Sequence, residues 1–339
     1  MSVPAVPDRI VLSLEKIADI ARNSFDVEAI DIEELNGYDD KNFRIVDNKR
    51  SGRKLVLKII NSIDSRKPEL FEAQTLLLLH LGKHGVNCPK PVLTQSGELF
   101  VKHKLESGEH IVRLFDYIDG AVLHKTSYSG DLFYQIGRAV AEMNEVMKDF
   151  KHEAYSNHKT IWMLESLPQL HRFFHAVKAE NRRNLVKTIV DIFIANVLPL
   201  SEMLPRGLIH GDVNEQNLLV ENGDLKAILD YGDCHVGCYL YELAITMTYM
   251  MVLDKNIEAG SHVLAGYSSV RKLNKVEYSL LKVCVCARLC QSLVLGAYKA
   301  LKDPENTYVL TTAAYGWTLL EKLWKTPSEE LLDVWKTHL

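Results

Sequence analysis

The hydrophobic periodicity of this chain changes near residue 118, and that change limits the folds open to it more than any other feature. Upstream, Ala29–Leu35 and the segments 42–46 and 54–60 alternate or run apolar over strand lengths, divided by Gly37 and the turn-rich stretch 48–52. This reads as an antiparallel meander, with further short strands at 91–93 and 110–118 and a helix over 12–24 ahead of it. Pro68 opens a second helix whose buried stripe is Leu70, Phe71, Ala73, Leu76, Leu77 and Leu81, ended by Gly82 and Gly85. From Gly130 on, strand signals almost vanish, and amphipathic segments follow at 131–149, 159–177, 183–203, 239–253, 275–301 and 307–325. The pattern predicts an α+β chain: a small β-rich N-terminal lobe with one main helix (1–118), a larger helical lobe (119–339), and a ligand cleft between them.

The helical part is interrupted once, by His210-Gly211-Asp212-Val213-Asn214-Glu215-Gln216-Asn217 and then Leu229-Asp230-Tyr231-Gly232-Asp233. An Asp five residues before an Asn, then a second Asp after a short apolar strand, is the order of base, metal ligand and metal ligand in kinase-type catalytic loops. Asp212 is the expected acceptor, or orienter, of a substrate hydroxyl proton. Asn217 and Asp230 are the expected hard-oxygen ligands of Mg²⁺. Asp233 is placed to hold a second ion or a basic substrate group. Asp and Asn also cap ordinary turns, and singly these residues are explained as well that way. Jointly, with strands at 207–209, 218–220 and 225–229 delivering them, they are not.

Lys58 interrupts an apolar strand and must find an anion or reach outward. In the kinase arrangement it contacts nucleotide phosphates and pairs with a helix carboxylate, here Glu72. A half-exposed strand lysine and a surface glutamate are the alternative. The loop from Gly37 to Asn42 has one glycine instead of a G-x-G-x-x-G pattern, so backbone N–H groups and Asn42 are the expected phosphate contacts, with Asp39 and Asp40 turned away or meeting Lys41. Phe115 to Gly120 can present backbone groups of Asp116 and Ile118 to a purine edge. Position 211 is Gly where protein kinases usually carry Arg, and the short path from Asp230 to Glu242 leaves no room for an activation segment. A small hydroxylated metabolite suits this chain better than a protein acceptor.

The chain has 339 residues and a formal net charge of −4, which lacks the basic footprint of a nucleic-acid binder. Its six cysteines have no zinc spacing and read as reduced structural thiols. Residues 1–7 lack the pattern of a signal peptide and no run reaches about 18 apolar residues, so a cytoplasmic protein with no membrane partner is expected. Oligomeric state is not legible.

H-G-D-x-x-x-x-N followed by D-Y-G-D resembles the aminoglycoside phosphotransferase and choline kinase superfamily, a set of small-molecule kinases with a protein-kinase-like two-lobed fold. Adding Tyr38-Asp39-Asp40-x-Asn42-Phe43, Glu242-x-Ala244-Ile245-Thr246, residues 262–266, Cys290 to Val294 and Pro304-Glu305-Asn306 makes the chain similar, from about 38 to 317, to the hydroxylysine kinase branch. The resemblance implies transfer of phosphate from GTP, with Mg²⁺, to the hydroxyl of 5-hydroxy-L-lysine in lysine breakdown, ATP not being excluded. It carries over Asp212 as catalytic acceptor, Asn217 and Asp230 as metal ligands, Lys58 as phosphate lysine and Tyr231 as an aromatic packing residue. Such an acceptor has a carboxylate and two ammonium groups. Arg288 is the expected carboxylate ligand, Asp233 and Glu242 the ammonium ligands, and Trp162 or Trp317 walls. Glu242 can instead bridge structural elements beside the loop. The remaining readings are an ATP-dependent kinase of choline, ethanolamine, homoserine or an aminoglycoside, a protein kinase, and a non-catalytic nucleotide binder.

Overall fold

The computed structural model describes residues 10–35, 37, 40–303 and 312–339. The expectations placed on Tyr38, Asp39 and 304–306, and on the first seven residues, lie outside these. The chain divides into two compact units, Met1–Asp119 and Gly120–Leu339.

The first unit is an antiparallel sheet backed by helix α1 (Leu14–Phe25) and joined by helix α2 (Pro68–Lys83). Strands β1 (Ala29–Leu35), β2 (Lys41–Asp47) and β3 (Arg53–Ile59) form the expected meander. β6 (Gly108–Asp116) follows β3, with β4 (Pro91–Val92) and β5 (Val101–Leu105) both pairing to it. Ser13 caps α1 by accepting the Lys16 N–H at 3.2 Å, and Ile17, Ile20, Ala21 and Phe25 pack on Phe43, Ile45, Leu55, Leu57, Val112 and Leu114. Register decides which polar side chains of the sheet stand together. Asn42 lies opposite Lys58, and Lys58 opposite Arg113, so all three project from one face.

The second unit is helical: α3 (Gly130–Met147), α4 (Glu180–Ile192), α5 (Tyr239–Asp254), α6 (Ala259–Val270), α7 (Lys275–Lys302), α8 (Ala313–Lys325) and α9 (Ser328–Trp335). Periodicity missed α6 and α9 as separate helices. It also read 159–177 as an α-helix, where Pro168 and the 3₁₀ geometry of Leu164–Ala176 stand instead, because an internal proline removes a donor from the ladder. α7 begins at a capping box formed by Asn274 and Glu277.

Two small sheets support the interruption in the helices. β9 (Leu218–Glu221) lies between β10 (Asp224–Ile228) and β7 (Ala121–Val122), while β8 (Arg206–Ile209) pairs with β11 (His235–Cys238) rather than with the strands after the loop. All six cysteines are free and buried.

The membrane expectation needs correcting as stated. Two helical stretches, Glu180–Met203 and Lys275–Lys302, are by length and composition apolar enough to span a bilayer. In the second, 78% of the apolar window is buried inside the protein. Its apolar residues, such as Leu281, Val285, Leu289 and Leu293, are core residues.

Helices α3 and α6 touch backbone to backbone through two glycines. A Cβ on Gly137 would stand 2.0 Å from the Val263 carbonyl oxygen, and one on Gly266 would stand 1.9 Å from that of Tyr134. Rigid main chain on both sides leaves a methyl group nowhere to go. Gly266→Ala is therefore expected to destabilise the protein by about 1–3 kcal/mol, the usual range for overpacking, read as a lower urea midpoint. An unchanged midpoint would mean that the two helices separate at little cost.

Candidate active site

The loop 210–217 leaves β8 and enters β9, and its backbone is held from below by a buried carboxylate. Glu242, fully buried on the first turn of α5, accepts the N–H groups of His210 and of Gly211, the latter at 3.1 Å, and the Asn144 amide at 3.4 Å. Burial pushes its carboxyl up to about 7 while these donors pull it down. Its oxygens are committed to the loop. Glu242 is therefore the bridging residue and not an ammonium ligand, which corrects the expectation that it binds substrate.

Gly211 adopts φ +81°, and a Cβ there would meet His235 Cε1 at 2.7 Å and the Asp233 carbonyl oxygen at 2.9 Å. That is the physical reason for glycine where protein kinases carry arginine. His210, wholly buried and kept neutral chiefly by burial, bonds through Nε2 to the Leu229 carbonyl at 2.8 Å and accepts the Asp212 N–H on Nδ1 at 3.2 Å. One imidazole thus ties the loop to the residue before Asp230. Tyr231 packs edge-on against that ring at 4.7 Å, the aromatic role expected of it.

Asp212 stands where three donors converge. Arg288 Nη2 meets its Oδ1 at 2.8 Å, and the amides of Asn214 and Asn217 meet its Oδ2 at 2.9 and 3.0 Å. Burial raises the carboxyl to about 6, against the lowering by Arg288 and Asn214. Arg288 is 1% exposed and is itself fixed by Tyr249 Oη, the Trp162 carbonyl and Gln291 Oε1 at 3.1–3.2 Å, with its guanidinium lying over the rings of Trp162 and Tyr249. The expected carboxylate ligand of the substrate is thus the clamp on Asp212. A cation inside α7 had to be paired, and its partner is internal. Trp162 belongs to this cluster. Trp317 packs under Arg182 instead.

The two expected metal ligands are brought together by strand register. Leu218 faces Ile228, and the Leu229 N–H reaches the Asn217 carbonyl at 2.7 Å, so Asp230 is the next residue after this cross-strand bond. Asn217 turns its amide nitrogen to Asp212, which aims its side-chain oxygen away from that carboxylate. Asp230 holds a left-handed backbone, φ 56°, and accepts the Gly232 N–H at 3.2 Å. Non-glycine residues hold that conformation at a cost of about 1–3 kcal/mol, and such strain gathers at functional sites. Asp233, partly exposed, is pushed up to about 7 by burial and by Asp212 and Asp230. Among the described residues no three His, Cys, Asp or Glu side chains form a metal cage. One amide oxygen and one carboxylate do fit Mg²⁺, which ordinarily keeps several waters and takes phosphate oxygens for the rest of its shell.

In the first unit Lys58 Nζ lies 3.3 Å from Asp40 Oδ2, and Asp40 Oδ1 accepts both the backbone and side-chain N–H of Asn61 at 2.9 and 3.1 Å. Asp40 therefore turns inward, against expectation, and Lys41 pairs with Glu34. Glu72, the expected partner of Lys58, is exposed and makes no ion pair among the described residues. α2 directs Gln74 and Thr75 at the sheet, and they hold Arg113 at 2.9 Å each. A spacing of about one hundred degrees per residue puts position 72 on the outer flank. The Asp116 N–H is used by the Lys90 carbonyl at 2.9 Å and its carboxylate by Arg53, whereas Ile118 makes no backbone hydrogen bond among the described residues.

The parts played by Asn214, the Trp162 carbonyl and Gln291 were not legible in the sequence, because they act through bonds that only the fold assembles. His210 was legible as part of the motif, its tether to Leu229 was not.

The model of the phosphotransferase enzyme family matches residues 31–274. The hydroxylysine kinase of Danio rerio is 30% identical over 338 residues, covering 96% of this chain and 95% of its own, and that of Bos taurus is 31% identical over 339 residues, covering 93% and 90%. A homoserine kinase of Beijerinckia indica subsp. indica is 27% identical over 61% of this chain and 62% of its own. Among solved structures, a microcompartment-associated aminopropanol kinase matches with a TM-score of 0.75 at 21% identity over 94% of this chain and 99% of its own. Amicoumacin kinase, solved with AMP-PNP, Ca²⁺ and Ami, matches with a TM-score of 0.73 at 17% identity over 94% and 97%. With its catalytic loop built as described and its length matched almost end to end, the chain belongs to the phosphotransferase enzyme family, as a small-molecule kinase.

Proposed function

We propose that this kinase transfers the γ-phosphate of GTP to the side-chain hydroxyl of 5-hydroxy-L-lysine. The observation that carries this reading is the set of Asp212 and Asn217 on one braced loop with Asp230 brought to Asn217 by the β9 and β10 register, in a chain that hydroxylysine kinases match over nine-tenths of its length. Asp212 takes the acceptor hydroxyl as a hydrogen-bond donor and receives its proton as the new O–P bond forms, while the bond from Pγ to its bridging oxygen breaks and GDP leaves. Because Arg288 and two amides already hold the carboxylate in place, the main contribution of Asp212 is orientation.

Asn217 and Asp230 would hold Mg²⁺, which when bound offsets the charge on the phosphate oxygens. Lys58 and Asn42, side by side on β3 and β2, would meet phosphate oxygens, and Asp40 would release Lys58 to them. The carbonyl and N–H of Ile118 would read the base, a donor and acceptor pair that either guanine or adenine can satisfy. Asp233, partly exposed beside Asp230, would hold an ammonium group. The second reading is an ATP-dependent kinase of another amino alcohol, favoured by the homoserine and aminopropanol kinases among the relatives.

An acceptor-by-donor assay separates the two: hydroxylysine, homoserine, 1-amino-2-propanol, choline and ethanolamine, each with GTP and with ATP. Preferred transfer from GTP to hydroxylysine is expected, and no transfer to any of them would sink both readings. Asp212→Asn is expected to lower kcat by about 10²–10⁴-fold with nucleotide affinity retained, as for loss of a positioned proton acceptor. Normal turnover would remove Asp212 from the reaction. Arg288→Lys keeps the charge but loses the fork, so kcat is expected to fall about tenfold or more for carboxylated and decarboxylated acceptors alike. A rise in KM confined to carboxylated acceptors would return Arg288 to substrate binding.

A further inference from the structure

Glu215 is the one loop carboxylate that the mechanism leaves unused. It is 8% exposed, on the catalytic loop three residues past Asp212 and two before Asn217, and its backbone carbonyl is held by the His124 N–H at 3.3 Å. Asp212 is saturated by Arg288 and two amides, and Glu242 by the loop's own N–H groups. Glu215 differs: its Oε2 is buried and meets no hydrogen-bond donor among the described residues, and among them it makes no ion pair. What steadies the carboxylate is its own N–H and the Gln216 side chain.

A buried carboxylate oxygen without a donor costs free energy, by an amount comparable to a lost charged hydrogen bond. The loop could have carried Gln there at the same volume without burying a charge. The charge of Glu215 is felt at Asp212 and at Tyr249, the two groups that flank the Arg288 guanidinium. On the loop it stands three residues past Asp212, the group that takes the acceptor hydroxyl, and two before Asn217. Arg288 lowers the carboxyls of Asp212, Asp233 and Glu242, but what relieves Glu215 includes no cation. Asp233 stands apart, partly exposed and close to Asp230 at the metal-ligand turn.

We propose that Glu215 is the receptor for an ammonium group of the acceptor, so that Asp212 and Glu215, on one loop, read a hydroxyl and a neighbouring cation together and select amino alcohols over neutral alcohols. This rests on the kinase reading above and names the acceptor feature that the site selects. No bond is made or broken at Glu215. It is a specificity-determining residue, and its effect appears in the comparison of charged with uncharged acceptors.

The test compares 1-amino-2-propanol with its neutral counterpart 1,2-propanediol, and hydroxylysine alongside, in the full-length protein. For Glu215→Gln, the ratio of kcat/KM for the amino alcohol to that for the diol is expected to fall about tenfold or more, through KM, with KM for the nucleotide unchanged; one charge-assisted hydrogen bond is of that order. Glu215→Asp, which keeps the charge, is expected to retain most of the preference, and thermal melting of both variants reports whether they fold. A parallel loss for the amino alcohol and the diol, or an unchanged ratio in the folded Gln variant, overturns the assignment. Wild-type protein that phosphorylates neither acceptor nor hydroxylysine overturns the kinase reading instead.

Discussion

The ion pair between Asp212 and Arg288 is the constraint around which the second unit is organised. Withdrawing two charges from water costs several kcal/mol for each, and Coulomb attraction alone seldom recovers it. Here the recovery is spread over many bonds. Arg288 spends its remaining donors on Tyr249, Gln291 and the Trp162 carbonyl, so α5, α7 and the segment leading into the 3₁₀ region after residue 163 are all bound to one guanidinium. Removing either charge strands the other. A helix in which Leu281, Val285 and Leu289 are core residues therefore also has to hold its rotation about its own axis, because turning it would withdraw Arg288 from a carboxylate 76 positions earlier in the chain.

The loop is rigid for a second reason, independent of that pair. Glu242 grips two consecutive backbone N–H groups, and His210 bridges the loop to Leu229. The β9 and β10 register then sets Asp230 relative to Asn217. Few soft torsions therefore separate Asp212 from Asn217 and Asp230. Such placement matters because phosphoryl transfer asks little of the protein beyond position and charge.

The sequence made the β-to-helix division, the meander, Asp212, Asn217 and Asp230 legible because these follow from local periodicity and fixed spacing. Arg288, Asp40 and Glu72 were visible as charges, yet the partners they meet or lack in the fold differ from those expected, while Glu242 takes the bridging place that was its alternative. A charge in an apolar segment shows that a partner must exist; it does not show whether the partner is substrate or protein, since that depends on contacts such as Arg288 to Asp212 that no spacing encodes. The segment 159–177 failed for a related reason. Its apolar spacing suits a helix, while Pro168 and the carbonyls of 161–163, which serve Gln291 and Arg288, hold it in another form.

The charges that remain around the loop explain both its chemistry and its tension. Asp212 and Asp230 raise the carboxyl of Asp233, Asp230 and Glu215 raise that of Asp212, Asp230 holds a strained backbone, and Glu215 keeps an unmet oxygen. Arg288 is the cation that relieves three of the buried or half-buried acids, and one guanidinium does not balance them. A protein selected for stability alone would thin these carboxylates out. Their retention makes sense if the missing positive charge arrives with the reactants: a divalent ion at the Asn217 and Asp230 end and an ammonium group at the acceptor end. Binding and catalysis are then linked physically, because the cations that relieve the repulsion are the same ones that complete the site.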